Sequence, residues 1–105
     1  MTINKQNKNG KEVSIIYGKD NSINVNIFNN KILMEIAGSF DNNLKELEKV
    51  SGSKIYFRGN SIAIKGNKHA NEKVKDAIEY LIDRFRSDKK IDRNDIITSL
   101  NHNMI

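Results

Sequence analysis

The chain has 105 residues, of which 37% are hydrophobic and 30% charged, enough for one globular domain and leaving no room in it for a second, catalytic one. With no cysteine there are no disulfides, thiolate metal sites or cysteine nucleophiles, and two scattered histidines make no ligand cluster. Eighteen Lys and Arg against thirteen Asp and Glu leave a net charge of +5, which permits a polyanionic partner without naming one.

Residues 1–11 are almost wholly polar and too poor in apolar groups to offset ordering entropy, so they read as a flexible tail. The tail also lacks the apolar core of a signal peptide, and no run approaches the roughly 18 apolar residues of a membrane span, so a cytoplasmic chain without membrane contact is expected. The apolar run Val13, Ile15, Ile16, Tyr17 adds at most a short extra edge strand before the turn chemistry of Gly18-Lys19-Asp20-Asn21. The folded domain is therefore placed at 22–87, behind a tail of 1–21.

Ile23, Val25 and Ile27 alternate with Asn24 and Asn26, the period of a half-buried strand. After Asn29-Asn30, good N-cap residues, the period changes, and Ile32, Leu33 and Ile36 share one face of a short helix that stops at Gly38. Asp41 is read as the N-cap of a second helix carrying Leu44, Leu47 and Val50 and ended by Gly52. Ile55 and Phe57, then Ile62 and Ile64, alternate on either side of Gly59-Asn60 and predict a hairpin. Gly66-Asn67 opens the longest helix, with Ala70, Val74, Ala77, Ile78, Leu81, Ile82 and Phe85 as its stripe. Residues 88–105 read as a charged link and a short helix capped by Asp92.

The expected fold class is α+β, in the order β-α-α-β-β-α plus a terminal helix, with a three-stranded sheet covered by helices on one face. Ile36, Leu44, Ile55, Ile64, Ile78 and Leu81 are its expected core.

Ile36-Ala37-Gly38-Ser39-Phe40-Asp41-Asn42-Asn43-Leu44, followed by Gly52-Ser53-Lys54-Ile55 and by Ile62 to Gly66, resembles a type I KH domain with its Ile-x-Gly-x-x-Gly and Gly-x-x-Ile runs. The stretch from Asn29 to Glu48, with Asp41 at the second glycine's place, then Arg58-Gly59-Asn60, Lys65-Gly66 and Ile91 to Ile96, is similar to the KH-like N-terminal segment of PhoH-like ATPases. The resemblance covers roughly residues 22–100. It implies a cytoplasmic, bacterial-type module that binds single-stranded RNA and works beside a PhoH-like ATPase domain in cis. This chain has no Gly-x-x-x-x-Gly-Lys-Ser/Thr run, and Gly59, Gly66 and Lys68 are accounted for by a hairpin turn and a helix start. By itself it is expected to be no enzyme and to hold no cofactor or metal.

A Gly-x-x-Gly loop grips the nucleic-acid backbone while bases unstack beside it. Carried over position by position, the implied RNA site is Gly38, Ser39, Phe40 and Asp41, with Lys31 and Met34 before the loop and Asn42 and Lys45 after it. Lys54, Tyr56 and Arg58 would form the far wall. Two departures stand out: Asp41 sets a carboxylate where phosphate would approach, and Phe40 stands where a basic or small residue is usual. Each residue also has a plainer reading. Asp41 serves as a helix cap rather than a catalytic acid, since no second carboxylate or histidine is spaced to pair with it; Phe40 packs the loop or stacks a base; Tyr56 and Arg58 are solvated sheet face; Lys45 and Lys49 are helix surface beside Glu46 and Glu48. The alternative function is a protein-interaction or oligomerisation module that keeps the scaffold and has lost the nucleic-acid loop.

Overall fold

Alternating apolar residues produce four strands, β1 (Val13–Tyr17), β2 (Ile23–Ile27), β3 (Lys54–Arg58) and β4 (Ser61–Lys65), in a computed structural model that describes residues 12–38, 41–88 and 90–101. Between and after them lie α1 (Asn30–Ala37), α2 (Asn42–Ser51), α3 (Lys68–Asp88) and α4 (Arg93–Asn101). The strands form one antiparallel sheet in the order β1-β2-β4-β3.

The register puts Ile15, Val25, Ile62 and Phe57 in one inward row and Tyr17, Ile23, Ile64 and Ile55 in the next. Helices α1, α2 and α3 pack over these rows, and Ile36, Leu44, Ile55, Ile64, Ile78 and Leu81 are all buried there. The opposite face of the sheet carries no helix and is polar along most of its length.

Two expectations are corrected. The sheet has four strands rather than three, because β1 pairs along its whole length with β2 and buries Val13 and Ile15 in the common core. The folded unit thus begins ahead of residue 22. At the other end α4 is part of the body rather than an appendage, since Ile96 and Leu100 join the same core against α2 and α3. The expected flexible tail, residues 1–11, lies outside the described residues.

Side chains fasten the helix starts. Asn29 Oδ1 accepts from the amides of Lys31 and Ile32, and Asn67 Oδ1 accepts from the amide of Ala70. Asp92 and Asp95 bond each other's amides reciprocally at the start of α4, and Asp95 also accepts from Arg84 Nε at 3.2 Å. Asn71, fully buried, donates to the carbonyls of Asn21 and Gly66 and accepts from Ser53 Oγ at 2.8 Å, which ties three loops to α3.

Candidate functional site

The site is built on the turn from α1 to α2. Helix α1 ends at Gly38, with φ 78° and ψ 176°, a region open essentially to glycine. A Cβ there would also stand 2.7 Å from the amide of Asn43, which donates to the Glu35 carbonyl at 3.3 Å and holds the two helices together. Asp41 closes the turn with φ 61° and ψ 24°, its amide donating to the Gly38 carbonyl at 3.1 Å. Its carboxylate makes no capping hydrogen bond. The expected N-cap role is therefore corrected: Asp41 occupies the cap position but suits it through its tolerance of left-handed backbone, as a glycine would. Among the described residues no side chain accepts from the first amides of α2, which stand at the positive end of the helix dipole. Ser39 and Phe40 lie outside the described residues.

Beside this turn opens a groove of about 840 Å³ between α1, α2 and the start of α4. Met34, Ile91, Ile96 and Ile97 supply its apolar lining, and Gly38, Asn42, Lys45 and Lys49 line the helix side. On the other flank of α2, Lys45 and Lys49 recur with Lys54 in a cleft of about 250 Å³ against β3. None of the three lysines makes an ion pair with a described residue. The nearby acids are largely occupied: Glu35 accepts from the Ile91 amide at 3.2 Å and Glu48 from the Ile55 amide at 2.8 Å. Glu46 alone in the groove has no such structural partner among the described residues. The result is a pair of lysines along α2, interspersed with the Glu46 and Glu48 carboxylates, with an apolar hollow at one side, which suits a ligand combining anionic and apolar parts.

The structure splits the expected site. Met34, Gly38, Asn42 and Lys45 meet in the groove, while Lys31 shares with Met34 a neighbouring hollow of about 640 Å³. Lys54 joins Lys45 only through the α2–β3 cleft. Tyr56 and Arg58 do not form the far wall, because the period-2 alternation that buries Ile55 turns them onto the helix-free face of the sheet. The groove's opposite wall is instead Ile91, just ahead of α4, with Ile96 and Ile97 in α4, none of them among the expected site residues. Lys49 was also missed, although its spacing of four from Lys45 places both on one side of α2.

Behind the site, Glu12 accepts from the Asn29 amide at 3.0 Å and from Arg86 at 2.9 Å. The Asn29 hydrogen bond first, and then Arg86, hold this carboxyl below its ordinary value of 4.5. Asn29 is thereby oriented with its oxygen toward the amides of α1.

Among the described residues no cluster of three His, Asp or Glu side chains is arranged to hold a metal, and no helix is long and apolar enough to cross a membrane. No protein-family model, no curated protein and no solved structure matches the chain.

Proposed function

We propose that the chain is a KH-like module that binds single-stranded RNA along α2, serving a PhoH-like ATPase domain in cis. The observation that carries this reading is the conjunction at one place of a helix start that the Asp41 side chain does not cap, three lysines without ion pairs among the described residues, and an apolar groove. Phosphates are drawn to the amides and lysines, and unstacked bases enter the hollow floored by Met34 and the isoleucines of α4. The order of strands β2-β4-β3 beneath α1, α2 and α3 accords with the type I KH arrangement, with β1 as an addition at the edge.

A fluorescence-anisotropy titration of a labelled single-stranded RNA decamer at two salt concentrations tests the proposal. Binding should be detectable at low salt and weaken as salt rises. No binding at high micromolar RNA would favour the alternative, a protein-docking module. The specific observation on that side is the exposure of Met34 and Ile97, at 64% and 47%, on the groove itself.

A further inference from the structure

The helix-free face of the sheet is unlike the rest of the surface. Its two complete rows are Ser14, Asn26, Ser61, Arg58 and Ile16, Asn24, Ala63, Tyr56, and the pair Lys65 and Lys54 extends it at one end. Among these ten residues stand three cations and no carboxylate, and none of the cations is in an ion pair with a described residue. Asp20, in the β1–β2 turn, is close enough to Lys65 for their charges to interact, and Lys54 shares the α2–β3 cleft with Glu48.

The first row is closed on itself: Asn26 donates to Ser14 Oγ at 3.3 Å and accepts from Ser61 Oγ. In the second row Tyr56 and Asn24 both lie opposite Ala63, which is only 1% exposed although no helix covers it. Neighbouring side chains on this face therefore close over its methyl group. Tyr56 nonetheless keeps 39% of its surface exposed, and the Asn24 amide makes no hydrogen bond with a described residue. Two strand spacings, about 10 Å, separate their backbones, the scale of one nucleobase laid across the sheet.

We infer that this face is a second contact surface for single-stranded RNA, with one base stacked on Tyr56, its edge bonded by Asn24, and flanking phosphates held by Arg58 and Lys65. An aromatic ring on an open antiparallel sheet is a general stacking platform for unpaired bases. Arg58 and Lys65, on a face whose own rows carry no carboxylate, suit a phosphodiester chain, and the amide and serine hydroxyls offer partners to a ribose 2′-hydroxyl that deoxyribose lacks. The inference is independent of the α2 groove, which lies on the other side of the sheet.

The test is a titration of a single-stranded U10 oligonucleotide into the parent chain, Tyr56→Ala, Tyr56→Phe and the groove variant Lys45→Glu/Lys49→Glu, alongside dT10. Tyr56→Ala should lose roughly 5- to 100-fold in affinity, Tyr56→Phe should stay within about twofold because it keeps the ring, and dT10 should bind more weakly than U10. Because Tyr56→Ala could impair folding, the parent is also followed by ¹⁵N-resolved NMR, in which U10 should shift the Asn24 side-chain amide and the backbone amides of Tyr56 and Ala63. Parental affinity in folded Tyr56→Ala, silence of those amides, or equal binding of dT10 would overturn the inference. So would a chain that ignores U10 but forms a dimer broken by Arg58→Glu, which would make the face a protein contact. If only Lys45→Glu/Lys49→Glu matches the parent, the groove proposal fails and this one stands.

Discussion

Gly38 and Asp41 bracket the α1–α2 turn with positive φ angles, and their side chains are chosen by backbone more than by contact. Gly38→Ala must adopt a region closed to alanine and press on Asn43, so it should cost about 1–3 kcal/mol in thermal or denaturant unfolding. At Asp41 the left-handed backbone sets the order. Asp41→Asn and Asp41→Gly should each lie within about 1 kcal/mol of the parent, because Asn tolerates the left-handed region and glycine's relief there is offset by its freer unfolded chain. Asp41→Ala should cost about 1–2 kcal/mol. Removing the carboxylate should also raise RNA affinity about fivefold or more, since two unit charges some 4 Å apart repel by about 1 kcal/mol even in bulk water. The sequence reads position 41 as a helix cap; its φ angle was not legible, because a cap and a left-handed aspartate have the same sequence signature.

Among the elements, those with local signals were legible. Asn29, Asn67 and Asp92 announce the starts of α1, α3 and α4, Gly52 the end of α2, and Gly59-Asn60 the β3–β4 hairpin. Strand β1 was undervalued because Ile15 and Ile16 break the alternation, and only its pairing with β2 shows which of them faces inward. The docking of α4 depends on contacts with α2 and α3 that no local pattern specifies. Leu44, 3% exposed, anchors α2 in the core, and Leu44→Ala should cost roughly 2–5 kcal/mol. Glu12 links β1 to α1 and α3, and its lowered pKa fixes the sign of a pH effect. Its contribution is complete above the ordinary value of 4.5 and is lost as pH falls through the lower folded-state value. Being well exposed, it contributes at most about 1 kcal/mol. Glu12→Gln should therefore lower the melting temperature slightly at pH 7 and converge with the parent in strong acid; an equal gap at every pH would contradict this.

At the scale of the whole molecule, one sheet separates two surfaces that a linear reading had merged. The residues Lys54, Tyr56 and Arg58 looked like one wall because they alternate with core positions, yet the pleat carries Tyr56 and Arg58 away from the groove while Lys54, at the strand's start, stays beside α2. The groove's other wall comes from α4, nearly sixty residues from the turn it faces, which is why the apolar lining was not legible. Charge organises the outcome: Lys45 and Lys49 line both cavities flanking α2, so any anionic chain following that helix must meet them. The most direct measurement is thus the equilibrium affinity of a single-stranded RNA decamer for the parent and for Lys45→Glu/Lys49→Glu at the same low salt, with folding of both verified by circular dichroism. The account predicts measurable binding by the parent and a loss of at least tenfold in the variant, with a shallower salt dependence as phosphate contacts disappear. Equal affinity of the two proteins, or a parent that binds no RNA, would contradict it.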